Sequence, residues 1–388
     1  MPKAIGCADM DAFFVSAELL RHPALKGKLV VVGGSPERRG VVASASYEAR
    51  SYGVRSGMAM GEAVRRCPEL IHLEVDRAYY SALSQKAMAI FREIAAQVEV
   101  VSIDEAYLDL GGLERLWGPP LVVARHIKER VRRELSLPMT IGVGSNKLVA
   151  KVACGRAKPD GLLEVLRGQE AEFLAPFPVQ VLPGIGPKTT LRLGEFGIET
   201  VGQLAQASET WLRGQFGSAM GLSLYRCARG IGSDRLEDGG LPKSMSREVT
   251  FARDISTLDE LLATLEELSE ELAGNLRARG LMAGVVDIKL RYPDFSTVSR
   301  QATLTVPTDA HQVIFQEAAQ LLKGEWERHG SAARVRLLGV GMGKLAPLAR
   351  QLPLFGEGNR YAELNRSLDE IQKRYGPKAI RRGQTLSH

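Results

Sequence analysis

Two stretches of the chain set acidic side chains where a strand would ordinarily exclude them. Residues 102–109 read Ser-Ile-Asp-Glu-Ala-Tyr-Leu-Asp and follow the β-branched run Val98-Glu99-Val100-Val101, so Asp104 and Glu105 fall at the tip or start of a strand. Near the N-terminus, Ala4-Ile5-Gly6-Cys7-Ala8 ends in Asp9-Met10-Asp11-Ala12-Phe13-Phe14. Acidic side chains are seldom buried unless paired or bound to a cation. If the two strands are neighbours in one sheet, Asp9, Asp104 and Glu105 form a set of hard oxygen ligands that suits Mg²⁺. Two such ions roughly 3.5–4 Å apart activate an attacking hydroxyl and stabilise a leaving phosphate, which is phosphoryl-transfer chemistry. Taken one segment at a time, solvated acidic strand ends are the competing reading.

A second constellation lies in 41–53, where a strand passes into a helix. Ser44, Tyr47 and Arg50 are spaced to present a hydroxyl, a phenol and a guanidinium on one helical face, which suits a triphosphate. Lys147 and Lys158, near the ends of a later helix, are within reach of phosphate in the same scheme. Each of these residues read alone is as well explained by a solvated or half-buried surface.

The elements that must hold these groups follow from length and periodicity. A chain of 388 residues is too long for one core and predicts two to four domains. With 45% hydrophobic and 25% charged residues it has an ordinary globular composition, and a net charge of +6 with pI about 9.1 suits a polyanionic partner. Cys7, Cys67, Cys154 and Cys227 are widely separated with no CxxC pair, so neither a zinc ribbon nor a disulfide framework is suggested and a reducing cytoplasm is the natural compartment. No apolar run approaches membrane-spanning length, and Met1-Pro2-Lys3 leads straight into a strand, so no secretory leader is expected.

Leu83, Ala87, Ile90 and Ile94 mark an amphipathic helix before the acidic hairpin, and a second helix at 121–135 precedes the strand 139–144. The expected layer is two helices on one face of a small sheet. At 182–198, Leu-Pro-Gly-Ile-Gly-Pro-Lys between short helices reads as a helix-hairpin-helix turn, where Gly184 and Gly186 let backbone N–H groups approach a DNA phosphate and Lys188 assists. Residues 230–240 are polar and glycine-rich, hence a linker. From 243 the order is β-α-β-β-α-β, a ferredoxin-like unit whose first helix carries a Thr257/Glu260 capping box. In it Val286, Ile288 and Leu290 alternate with Asp287, Lys289 and Arg291, and Arg334 and Arg336 repeat a basic face on the last strand. That face is a candidate nucleic-acid surface, although residues 243–345 hold 13 Lys/Arg against 14 Asp/Glu. The tail carries Gln351-Leu352-Pro353-Leu354-Phe355, followed by 33 residues; this apolar cluster reads as an anchor for a partner's pocket, with folding back on its own domain as the competing reading.

Taken together, the motifs at 9–14, 43–50, 102–109, 142–147, 157–161 and 182–186 resemble, in order and spacing, those of the Y-family translesion DNA polymerases, and within them the bacterial DNA polymerase IV (DinB) branch. The resemblance implies an α+β multidomain fold. Its parts are a palm with helices on one face of a small mixed sheet (1–10 and 76–165), small α/β fingers (11–75), an all-α helix-hairpin-helix thumb (166–232), a linker (233–243), a β-α-β-β-α-β little finger (244–345) and a tail (346–388). It implies that Asp9, Asp104, Glu105 and the Met10 carbonyl hold two Mg²⁺ ions. Ser44, Tyr47, Arg50 and Lys158 would contact the incoming dNTP. Phe14 would be a steric gate against the ribose 2′-OH, with Phe13 packed beside it. Residues 351–355 resemble a sliding-clamp-binding peptide.

The expected activity is low-fidelity, template-directed nucleotidyl transfer from a dNTP to a primer 3′-hydroxyl without proofreading. The expected partners are primer–template DNA, dNTP and the clamp, for a cytoplasmic monomer with no membrane attachment. A palm-type nucleotidyl cyclase and a non-catalytic DNA-binding scaffold are the alternatives.

Overall fold

The computed structural model describes residues 3–237, 239–329, 334–348, 358–376 and 379. The chain divides into two units, Met1–Pro36 with Gly40–Gly239 and Glu37–Arg39 with Gly240–His388. In chain order the first unit runs β1 (Ile5–Met10), α1 (Phe13–Arg21), β2 (Val30–Gly33), β3 (Val42–Ala45), α2 (Tyr47–Ser51), α3 (Met60–Arg66), β4 (Ile71–Leu73), α4 (Arg77–Ile94), β5 (Gln97–Val100), β6 (Glu105–Asp109), α5 (Pro120–Leu135), β7 (Met139–Gly144), α6 (Lys147–Ala157) and β8 (Leu162–Glu164). It ends in helices α7 (Glu170–Leu174), α8 (Pro187–Gly194), α9 (Val201–Gln206), α10 (Glu209–Phe216) and α11 (Ser218–Ala228).

The small residues of β1 let it sit in the middle of the sheet β5-β6-β1-β7-β8, antiparallel to both neighbours, while β8 runs parallel to β7. The sheet is mixed, as expected. On one face Met139, Ile141 and Val143 pack with Tyr80, Leu83, Ala87 and Phe91 of α4 and with Val123, Ile127 and Val131 of α5, which is the anticipated pair of helices. The other face is covered by α6, because β7 presents glycine there: a Cβ at Gly142 would stand 2.1 Å from the Cys154 nitrogen and 2.3 Å from the Ala150 oxygen. Backbone therefore lies directly on backbone, and α6 is held close to the acidic strand ends.

A smaller sheet, β3-β2-β4, has its own core of Val31, Val42, Ala45, Ala49, Met60 and Ala63. Here the expected single helical face is corrected. Ser46 caps α2, its hydroxyl accepting the Ala49 N–H, so the helix starts at Tyr47 and Ser44 lies on β3. The helices from α7 to α11 enclose Leu174, Leu193, Leu204, Leu212 and Leu224, an all-α module as predicted.

The expected linker is corrected over its first part, which is a strap on the larger sheet. Leu236 is buried with Ile5, Cys7 and Tyr107, the Lys147 N–H donates to the Ser233 carbonyl at 3.0 Å, and the Glu237 N–H donates to Glu99 at 2.7 Å. The glycines that suggested freedom provide room instead: Gly232 passes so close to Asn146 and Leu148 that a Cβ would collide with them.

The second unit comprises β9 (Ser244–Ile255), α12 (Leu258–Ala278), β10 (Leu281–Arg291), β11 (Thr297–Thr308), α13 (His311–His329), β12 (Val335–Gly343), β13 (Ala346–Pro347) and α14 (Gly358–Tyr375). Its antiparallel sheet β11-β10-β12-β9 gives the ferredoxin-like order read from the sequence. Leu261, Leu265, Leu272 and Leu276 of α12 bury against Val286, Ile288 and Leu290. Two local expectations are corrected. Thr257 stands at the N-cap of α12 without a side-chain capping bond, so there is no capping box, and Asp259 and Glu260 favour the helix start through its dipole alone. Arg334 precedes β12 rather than belonging to it.

In the tail, α14 is tied down by Arg277, which grips Asp369 at 2.6 and 2.7 Å. Gln351, Leu352, Leu354 and Phe355 lie outside the described residues. Among the described residues no helix is long and apolar enough to cross a membrane.

Candidate active site

The sheet brings the three acids to one end. Asp9 stands opposite Glu105 across the β1–β6 ladder, and the Met10 N–H donates to the Asp104 carbonyl at 3.0 Å. The turn leading into β6 is shaped by Ser102, whose hydroxyl accepts the N–H groups of Asp104 (3.2 Å) and Glu105 (3.1 Å) and donates to the Asp104 carboxylate at 2.5 Å.

Each carboxylate is already engaged. Lys151 of α6 places its ammonium 2.6 Å from both oxygens of Glu105, and Lys158 lies 2.6 Å from Asp9 Oδ1. Burial pushes the Asp9 carboxyl up to about 6, Lys158 opposes that, and the nearby Asp104 and Glu105 add to it. Among the described residues no group of three His, Cys, Asp or Glu side chains is gathered closely enough to hold an ion. The strands bring the acids to one end of the sheet, where Lys151 and Lys158 hold Glu105 and Asp9 in ion pairs. The donor set still fits a divalent cation: hard oxygens, partly buried, mutually repelling, and now balanced by two ammonium groups.

Beside them lie the groups expected to hold a triphosphate. Tyr47 donates its phenol to Asp11 Oδ1 at 3.2 Å, and the Arg50 guanidinium stacks 4.6 Å from the Tyr47 ring centre while its Nε donates to the Ala45 carbonyl at 3.0 Å. Ser44 is buried on β3 opposite Val32. Phe14 stacks on Tyr80 with ring centres 4.4 Å apart and 19° between planes, and Tyr80 is locked by its hydrogen bond to the buried Glu18 at 2.7 Å. Phe13 is a core residue, whereas Phe14 keeps part of its ring accessible.

The candidate DNA contacts differ in kind. Gly184, at φ 89°, Gly186 and Lys188 are exposed at the start of α8, as a phosphate-binding turn requires. Lys147 is committed to Glu99, at 2.6 and 2.9 Å. In the second unit Lys289 pairs with Glu248 at 2.9 Å, Arg291 donates to Thr297 at 3.0 Å, and Arg336 lies over the Phe295 ring at 4.6 Å; Arg334 is exposed.

Sequence reasoning passed over Lys151, Ser102 and the buried Asp11, which Thr140, Tyr47 and the Asp160 N–H surround. Only the motif Asp9-Met10-Asp11 offered a signal for the last of these, and a single residue there does not reveal partners so far along the chain.

Residues 8–155 match the impB/mucB/samB family, residues 242–354 its C-terminal domain and residues 180–232 the thumb domain of DNA polymerase-iota. The chain is 42% identical over 377 residues, 97% of its length and 96% of the relative's, to a DNA polymerase IV of Dehalococcoides mccartyi. It superposes on a Y-family DNA polymerase chimera with TM-score 0.80 and 26% identity, covering 89% of this chain and 99% of that one. An insertion ternary complex of Dbh DNA polymerase matches with TM-score 0.64 and 26% identity over 88% and 98% of the two chains. With the paired strand ends, the helix-hairpin-helix turn and the ferredoxin-like unit all in place, the chain belongs to the Y family of DNA polymerases, within the impB/mucB/samB family.

Proposed function

We propose that the chain is a template-directed, low-fidelity translesion DNA polymerase whose chemistry is carried by Asp9, Asp104 and Glu105. The observation that carries this is the cross-strand pairing of Asp9 with Glu105, with Asp104 bonded to the Met10 N–H, at one end of the sheet. The primer 3′-hydroxyl attacks the α-phosphate of a dNTP and pyrophosphate leaves, with no proofreading.

Polymerases of this kind depend on divalent metal. Asp9, Asp104, Glu105 and the Met10 carbonyl would hold two Mg²⁺ ions, which would supply Lewis acidity for the transfer. The chain's own side chains do the rest. Lys158, Tyr47, Arg50 and Ser44 bind and orient the triphosphate. Phe14, braced by Tyr80, excludes a 2′-hydroxyl. Gly184, Gly186 and Lys188 hold duplex phosphates, and Lys147, Lys289, Arg291, Arg334 and Arg336 add backbone contacts.

The organisation follows the same lines: palm in 1–10 and 76–165, fingers in 11–75, thumb in 166–232, little finger in 244–345. The protein works in the cytoplasm as a monomer on primer–template DNA, held to a sliding clamp through Gln351, Leu352, Leu354 and Phe355. Primer extension with single nucleotides on undamaged and abasic templates tests this. Insertion that follows the template base and continues past the abasic site supports it; product formed from nucleotide without DNA would favour a cyclase instead.

A further inference from the structure

Asp11 is nearly sealed from solvent, at 1% exposure, yet among the described residues it makes no ion pair. A carboxylate in that position is costly unless its oxygens are fully hydrogen-bonded. Three neutral donors meet it. The Thr140 hydroxyl lies 2.8 and 3.0 Å from its two oxygens, the Asp160 N–H donates at 2.8 Å, and the Tyr47 phenol donates at 3.2 Å.

These donors come from separate parts of the first unit. Thr140 is on β7, and its hydroxyl also accepts the Gly161 N–H at 3.3 Å. Asp160 lies in the turn after α6 that begins with Lys158, and its own carboxylate is held by Lys128, at 2.6 Å, and by Arg132, both on α5. Tyr47 opens α2, whose neighbours bury into the separate core of the smaller sheet. Asp11 thus joins the 158–161 turn, which carries Lys158, to the helix that carries Tyr47 and Arg50.

We propose that Asp11 is a positioning residue for the triphosphate: it fixes the spacing between the Tyr47–Arg50 side of the nucleotide grip and the Lys158 side. The inference rests on the reading of Tyr47 and Lys158 as triphosphate contacts. A residue that served stability alone would gain as much from an apolar pair. Here each bond runs to a segment bearing a phosphate contact or to the threonine beneath it. Of the three donors, Tyr47 makes the longest bond, so the phenol can be shared with a phosphate oxygen while Thr140 and Asp160 keep the carboxylate in place.

The test is steady-state single-nucleotide insertion on primer–template DNA with the full chain, alongside DNA-binding affinity. Asp11→Asn keeps the size but turns an amide N–H₂ toward a donor. It should raise the KM for dNTP about tenfold, the scale of one lost hydrogen bond, with kcat changed less than about threefold and DNA affinity unchanged. Thr140→Val should shift KM the same way, and Thr140→Ser, which keeps the hydroxyl, should restore it. This pair decides the matter should Asp11→Asn not fold. Tyr47→Phe and Lys158→Ala serve as references. If neither moves the dNTP KM, the triphosphate reading itself fails and takes the proposal with it. If they raise KM while Asp11→Asn or Thr140→Val does not, or lowers kcat alone, the grip stands and the positioning role of Asp11 is overturned.

Discussion

Lys158 and Asp9 form an ion pair, Nζ to Oδ1 at 2.6 Å, at the point where nucleotide and acid would have to meet. In the absence of substrate the lysine neutralises a carboxylate that burial makes costly to ionise. On the proposed reading, a bound triphosphate would take Lys158 from Asp9 and leave the carboxylate to hold a cation. Lys158→Ala is therefore expected to raise the KM for dNTP by roughly tenfold or more. It also leaves Asp9 unpaired and lowers the stability of the substrate-free protein by about 2 kcal/mol, less than for a fully buried pair because both side chains keep some contact with water. Insertion kinetics and urea unfolding measure the two effects separately.

The two adjacent phenylalanines should behave differently. Phe14 lies against the rigid Tyr80 with part of its ring free, so Phe14→Ala should open the space beneath the sugar and raise ribonucleotide insertion relative to deoxynucleotide insertion by a factor of ten or more, on the order of the discrimination a steric clash supplies. Phe13 is packed in the core, and Phe13→Ala should cost about 3–5 kcal/mol of stability without changing that ratio. Competition between ATP and dATP opposite template thymine, with denaturant melts of both variants, reads the difference.

Gly142 is a packing requirement rather than a turn. A methyl group there would meet α6 backbone at 2.1 Å, and α6 carries Lys147 and Lys151. Gly142→Ala should destabilise the first unit by about 1–3 kcal/mol or more, as overpacking of a tight interior does. A matched Gly155→Ala, where a Cβ meets nothing within 4 Å, should not. Thermal unfolding of the two variants side by side checks this.

Asp160 supplies a pH dependence. Partial burial works against its charge, but the bonds from Lys128 and Arg132 outweigh it and hold the carboxyl below its ordinary value of 3.8. A lowered carboxylate contributes stability above its unfolded value, and that contribution is lost as pH falls through the lowered one. Native protein should accordingly be more stable than Asp160→Asn at neutral pH, with the gap closing below about pH 4. Unfolding midpoints across that range would show a constant gap if the pairing were immaterial.

The acidic strand ends were readable because the small apolar run of β1 carries Asp9 near its end, and β6 begins at Glu105 just after the valines of β5. The ferredoxin-like order was readable because α12 repeats leucine at helical spacing for 21 residues. Local signals misled where tertiary packing decides. Ser44 lies on β3 instead of sharing a helical face with Tyr47 and Arg50, and the polar stretch near Leu236 is drawn onto the sheet by one buried leucine and Glu99. The ion pairs of Lys151 and Lys147 and the donors around Asp11 were invisible, since Thr140 and Asp160 lie 129 and 149 residues away from it and no periodicity connects them.

The proposed mechanism assigns the nucleotidyl transfer to Asp9, Asp104 and Glu105. Single-turnover primer extension with Mg²⁺ and the correct dNTP, comparing the native chain with Asp104→Ala at matched DNA occupancy, tests it most directly. The native chain should extend the primer as the template directs, and the variant should lose at least about several thousandfold in rate with primer–template affinity retained, as when a group acting on the reacting atoms is removed. Extension by Asp104→Ala at near-native rate, or none by native protein that binds DNA, would contradict it.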